Sequence, residues 1–183
     1  LYNSGHFGKI IRERILSGGR LRIDWIDDKI ITKGGIGLTI LPGRKDYSRS
    51  IDEDLKQLKK YEVDTIIPLI TDDEFGHFGV NDLLEKYEAY NFNVHRLPIM
   101  DQLISSEEEM VEMVKYLDDL MQKNEKILIH CVGGLGRSGL VTACYLKYKG
   151  LNADDALKAV RKIRGPRAIE SKIQETFVKK FQF

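Results

Sequence analysis

Fourteen consecutive residues, KILIHCVGGLGRSG at positions 126–139, restrict the fold of this chain more than any other stretch. Lys126–His130 is apolar and partly β-branched, which suits a buried strand. Gly133, Gly134 and Gly136 then break regular structure, and Leu140, Val141, Cys144 and Tyr145 return at helical spacing. A buried strand that turns through a glycine loop straight into a helix belongs to folds in which parallel strands alternate with helices.

The other segments agree. Strands are expected at 37–41, stopped by Pro42-Gly43, at 63–69 (VDTIIPL) and at 93–99 (NVHRLPI). Helices are expected at 52–61 and 81–90. A third begins at Ser105-Ser106, where each serine has a glutamate three residues on, and carries Met110, Met113, Val114, Leu117 and Met121 on one face. Asn152 caps a helix bearing Ala156, Leu157, Val160 and Ile163, stopped by Gly165-Pro166, and a last helix covers about 169–181. The expected architecture is α/β: a central, mostly parallel sheet flanked by helices, with a helical C-terminal third. The 183 residues suit one domain. Residues 1–35, with irregular apolar spacing, read as an N-terminal extension packed on a domain of residues 36–183.

The glycine loop admits two chemistries. Gly134-x-Gly136-x-x-Gly139 matches a dinucleotide-binding turn, but that fold needs a further strand and an acidic residue about 20 positions on. Residues 151–164 have helical spacing instead, and Asp154 and Asp155 fall in a first turn, where they complement the helix dipole. The alternative is Cys131-x5-Arg137-Ser138. A strand-to-helix turn aims successive backbone N–H groups at one point, and the helix N-terminus adds partial positive charge. The backbone of Val132, Gly133, Gly134, Leu135 and Gly136 would thus cradle an oxyanion above the Cys131 sulfur. Arg137 can clamp two of its oxygens in a planar fork. An ordinary thiol, with pKa ~8.5, is only a few per cent anion at neutral pH. The loop's field favours the sulfur anion, and Ser138 can donate a hydrogen bond to it when it leaves. Cys144, on an apolar helix face, reads as a small core residue.

The stretch HCVGGLGRSG resembles the His-Cys-x5-Arg-Ser/Thr signature of cysteine-dependent protein tyrosine and dual-specificity phosphatases. In particular it is similar to the cyclin-dependent-kinase-associated phosphatase group and small archaeal relatives. The resemblance covers about residues 20–180 and includes Gly37-Leu38-Thr39-Ile40-Leu41-Pro42-Gly43 and Arg164-Gly165-Pro166-Arg167-Ala168-Ile169. It implies that His130 orients the loop and tunes the thiol. It also implies that Asp101, after Leu97-Pro98-Ile99-Met100, is the general acid, with Asp72 in reserve. Many relatives carry a water-positioning glutamine at the place of Glu170, so either Glu170 or Gln174 is expected in that role. Arg164 and Arg167 are candidates for holding a phosphorylated segment.

The function implied is metal-independent, cofactor-free hydrolysis of phosphotyrosine, with phosphoserine and phosphothreonine, through a phosphocysteine. Rival readings are an RNA 5′-phosphatase, a phosphoinositide phosphatase and a non-catalytic phosphopeptide-binding module. The net charge of +1 offers no basic track for nucleic acid, and the loop's lack of lysine gives an inositol phosphate no extra cation. No apolar stretch approaches the ~20 residues of a membrane span. A phosphorylated protein, such as a protein kinase, is the expected partner of a monomer. Two cysteines and the absence of a basic-then-apolar leader point to the cytoplasm, and the nucleus is a further expected location.

Overall fold

The structure, a computed structural model, describes residues 19–26, 31 and 33–183. Its strands are β1 (Asp24–Trp25), β2 (Gly35–Thr39), β3 (Thr65–Pro68), β4 (Asn93–Val94) and β5 (Lys126–His130). Its helices are α1 (Ile51–Lys60), α2 (Asp72–His77), α3 (Leu83–Ala89), α4 (Glu107–Gln122), α5 (Gly136–Tyr148), α6 (Ala153–Arg164) and α7 (Lys172–Lys180). The sheet order is β1-β2-β5-β3-β4, and every pairing is parallel except β1 with β2.

β5 sits at the centre because only a strand apolar on both faces tolerates helices above and below. Ile127, Leu128 and Ile129 are fully buried, as are Ile36, Leu38, Ile66 and Ile67 on its neighbours. Among the helices, α5 is the most enclosed, buried from Gly136 to Leu146 and packed against α4, α6 and α7. The register aligns three strand ends: His130 lies opposite both Thr39 and Pro68. Beyond β4 the chain continues beside β3, with the Ile99 N–H donating to the Leu69 carbonyl at 2.9 Å. The segments after β2, β3, β4 and β5 therefore converge at one end of the sheet, the usual position of a site in an open α/β fold.

Several elements differ from the sequence reading. The 93–99 strand shrinks to two residues; Pro98 has no N–H to give a ladder, and the remainder bonds irregularly through His95 and Leu97. Asp72–His77, where the sequence reading placed no element, forms α2, started by a capping box between Thr71 and Glu74. Of the two serines at 105–106, Ser106 is the cap: its Oγ accepts from the Glu109 N–H, and Glu109 accepts from the Ser106 N–H. Asn152 caps α6 as expected, accepting from the Asp155 N–H at 2.9 Å. Among the described residues no strand follows the glycine loop, so the dinucleotide reading lacks the further strand it needs. Within the expected N-terminal extension, β1 joins the sheet edge and Leu21 and Ile26 enter the core; residues 1–18 lie outside the described residues.

The turn after β2 is fixed by a buried carboxylate. Asp54 accepts from the Gly43 N–H at 2.8 Å and from Arg49 through Nε (2.9 Å) and Nη2 (2.6 Å). Removing the carboxylate takes two charge-assisted hydrogen bonds from the buried Arg49 and one from the Gly43 amide. Asp54→Ala is therefore expected to lower stability by about 3 kcal/mol or more, read as a shift in the urea midpoint. A midpoint equal to that of the wild type would show that the pair does not hold this turn.

Candidate active site

Every carbonyl from Cys131 to Leu135 is held by a donor. The Val132 oxygen accepts from the Leu41 N–H and from Arg44 Nη1, both at 3.0 Å. The Gly133 and Gly134 oxygens accept from Arg164, through Nη2 at 3.1 Å and Nε at 2.6 Å. The Leu135 oxygen accepts from the N–H groups of Gly139 and Ile169, each at 3.1 Å. In a trans peptide the C=O and the next N–H point in opposite directions, so anchoring the carbonyls outward turns the amides inward. One amide shows the result: the Gly134 N–H donates to Cys131 Sγ at 3.2 Å. Gly134 has φ +63°, and a Cβ there would lie 2.2 Å from the Thr39 carbonyl oxygen. Only glycine fits.

His130 is fully buried behind the loop. Its Nδ1 lies 3.1 Å from the Cys131 carbonyl, which can only accept, so the proton is assigned to Nδ1. Nε2 is then the acceptor for the Tyr87 hydroxyl at 2.9 Å. Burial pushes the imidazole down to about 4, with the nearby Arg137 charge adding to the effect. His130 is thus neutral near pH 7. It braces the loop through its hydrogen bonds and adds no positive charge to the sulfur.

Arg137 is 1% exposed. Its Nη1 donates to Glu74 Oε2 at 2.7 Å and to the Ile99 carbonyl at 2.9 Å, and its Nη2 donates to Glu74 Oε1 at 2.9 Å. Burial works against the charges of both Arg137 and Glu74. Their bond outweighs it, holding Arg137 above and Glu74 below their ordinary ranges. Glu74 occupies the end of the guanidinium fork, so the edge left for an oxyanion is Nε with the second Nη2 proton. Nε is a buried donor with no partner among the described residues, and so is the Ser138 hydroxyl. Unpaired buried donors are rare and cost about 1–3 kcal/mol each; two at adjacent residues in the first turn of α5 suit an anion. Asp101 Oδ1 lies 3.3 Å from Arg137 Nη2, with the carboxylate side chain 64% exposed. Asp72 pairs with Arg96 at 2.7 Å, so of the two aspartates the one beside Arg137 is Asp101.

Glu170 and Gln174 both reach the loop: a Cβ on Gly136 would meet Glu170 Oε2 at 2.7 Å and Gln174 Oε1 at 3.1 Å. Gln174 is buried, and its Nε2 donates to the Leu103 carbonyl at 3.0 Å, tying α7 to the segment that carries Asp101. Arg164 is turned onto the loop carbonyls and Asp24, so it is not available to a phosphorylated segment as expected. Arg167 is exposed, outside these bonds. Cys144 is fully buried in α5, where burial pushes its thiol far up. The residue that sequence reasoning missed is Glu74. Its signal was present as Thr71-x-x-Glu74 ahead of Phe75, a capping pattern too short to show periodicity.

The His130 environment has a pH signature. In the unfolded chain it titrates near 6.5, whereas in the fold it stays neutral down to about 4. Between these values the unfolded chain takes up a proton that the native chain refuses. The contribution is complete above about pH 6.5 and declines as pH falls toward 4, by ~3 kcal/mol in all. His130→Asn is expected to flatten the pH dependence of the denaturant midpoint in that window. An unaltered slope would mean that His130 protonates freely in the native state.

Residues 17–157 match the sequence profile of the family described as Cyclin-dependent kinase inhibitor 3 (CDKN3). Proteins named cyclin-dependent kinase inhibitor 3 from Sus scrofa and Homo sapiens are 32% and 30% identical to it, over 88% of this chain and 79% of theirs. Among solved structures, kinase associated phosphatase (KAP), with its catalytic-site cysteine changed to serine, superposes at a TM-score of 0.84 and 30% identity. That match covers 88% of this chain and 94% of that one. Tk-PTP in its active form gives 0.70 and 28%, over 87% and 95%. A Cys-x5-Arg loop at the end of a parallel sheet, on the fold of these relatives, places the chain in the cyclin-dependent kinase inhibitor 3 family, within the protein tyrosine/dual-specificity phosphatase class of enzymes.

Proposed function

We propose that this chain is a phosphoprotein phosphatase that works in two steps through a phosphocysteine on Cys131, without a metal. What carries this reading is the meeting of an amide-bonded sulfur, at 3.2 Å from the Gly134 nitrogen, with the open edge of the Arg137 guanidinium. The sulfur anion attacks phosphorus, the P–O bond to the side chain breaks, and Asp101 delivers its proton to the leaving oxygen. Water then attacks the phosphocysteine, the P–S bond breaks, Asp101 takes the water's proton, and the thiolate is restored. Inward amides of the loop and Arg137 Nε and Nη2 hold the equatorial charge in both steps. The Ser138 hydroxyl is the donor for the departing sulfur. Glu170 and Gln174 are the groups placed to orient the water.

Phosphotyrosine is the expected substrate, with phosphoserine and phosphothreonine. The relatives' names concern cyclin-dependent kinases, so a phosphorylated protein kinase is the first protein substrate to assay. Phosphotyrosyl and phosphothreonyl peptides, inositol phosphates and triphosphorylated RNA, assayed side by side, test the class. Turnover confined to the last two would overturn it, and peptide binding without phosphate release would make the chain a binding module.

Cys131→Ser is expected to keep oxyanion binding and lose turnover, measured by vanadate titration and phosphate release. Residual turnover near the wild-type rate would remove the sulfur from the mechanism. Asp101→Asn is expected to lower kcat about 100-fold with little change in substrate binding. An unchanged kcat would move the acid role to another group, with Asp72 next in line.

A further inference from the structure

We propose that Asp24 and Arg164 form a clasp that sets the reactivity of the Cys131 sulfur from outside the loop, making β1 part of the catalytic unit. Asp24 stands on the antiparallel edge strand, 140 residues from Arg164 in sequence, and its Oδ2 accepts from Arg164 Nη1 at 2.6 Å. Its Oδ1 accepts from Arg22 Nε at 2.8 Å, and the Arg22 carbonyl accepts from Thr39 Oγ1 at 2.7 Å. The clasp is therefore anchored on β1 and on the end of β2. Both of its members are largely enclosed, with side-chain exposures of 13% for Asp24 and 8% for Arg164.

Two further donors of Arg164 go to the loop. Nη2 holds the Gly133 carbonyl and Nε holds the Gly134 carbonyl. The Gly133 carbonyl shares a peptide plane with the Gly134 N–H, the group that donates to Cys131 Sγ. A planar peptide cannot turn one end without the other, so Arg164 aims that amide at the sulfur. Through the Gly134 carbonyl it aims the Leu135 amide in the same manner. Glycine is the residue least able to hold such an orientation alone. Gly133 and Gly134 have no side chain to restrain them, and the restraint comes from the guanidinium. Arg164 and Asp24 are thus positioning residues that act through two peptide units.

The sign of one substitution separates positioning from charge. Removing the Asp24 carboxylate takes a negative charge away from the loop. If only the field mattered, the sulfur anion would become easier to form and alkylation would quicken. If the clasp orients the amides, its loosening weakens their grip on the anion, and alkylation slows. The experiment follows iodoacetamide alkylation of Cys131 across pH, on the full chain, for the wild type, Asp24→Asn and Arg164→Lys. Arg164→Lys keeps the charge but cannot span two carbonyls and a carboxylate. It is expected to slow alkylation on the acid side of neutrality about tenfold. Asp24→Asn is expected to slow it by less. Peptide turnover is expected to fall in kcat more than to rise in KM, because the amides meet the transition-state charge most closely.

A profile for Arg164→Lys that overlays the wild type would overturn the proposal, and so would faster alkylation in Asp24→Asn. Should Arg164→Lys fail to fold, the direction of the Asp24→Asn shift still decides. The kinetic readout rests on the phosphocysteine reading, whereas the alkylation readout does not. A wild-type chain that turns over no phosphopeptide, with variants whose alkylation still slows, would sink the proposed function and leave the clasp standing.

Discussion

The carbonyl oxygens of Cys131–Leu135 are bonded to His130, Leu41, Arg44, Arg164, Gly139 and Ile169, groups drawn from both sides of the loop and from most of the length of the chain. A loop with glycine at 133, 134 and 136 has little conformational preference of its own, and ordering it costs more entropy than ordering any other residues. The surrounding scaffold offsets that cost by gripping one face of each peptide. The opposite face is left with N–H groups that need no further reorganisation when charge develops. Preorganised dipoles of this kind commonly contribute more than any other effect to stabilising a transition state.

The same division of labour governs the side chains. β3 and β5 end side by side, the chain beyond β4 runs on beside β3, and the segments that follow supply Glu74, Asp101 and Cys131 in turn. Glu74 takes the end of the Arg137 fork and Ile99 the outer Nη1 proton, which leaves the Nε edge of a rigid plane open. Lysine, a point charge on a flexible stem, could not be divided this way. With His130 neutral, the positive character of the site comes from Arg137 and the amides, and the imidazole acts as a strut between Tyr87 and the loop.

The glycine loop and its framing strand and helix were legible because their signals are local. An apolar pentamer, closely spaced glycines and a following helical repeat need no knowledge of distant residues. The caps at Ser106 and Asn152 were legible for the same reason. What escaped depends on partners remote in sequence. Two-residue β1 has no period to detect, and only its pairing with β2 makes it a strand. Helix α2 is six residues long, too short for an apolar stripe, though its Thr71–Glu74 cap was written in the sequence. The bonds of Arg164 to Asp24 and two loop carbonyls escaped because nothing nearby in sequence reveals those partners.

The most direct test is to catch the intermediate. The protein is mixed rapidly with a phosphotyrosyl peptide, quenched in acid within the first turnover, digested and analysed by mass spectrometry. A phosphoryl group on the peptide containing Cys131, appearing and decaying at rates that account for turnover, is the result expected. Phosphate release at full rate with that peptide never modified, or with the group on another residue, would contradict the account.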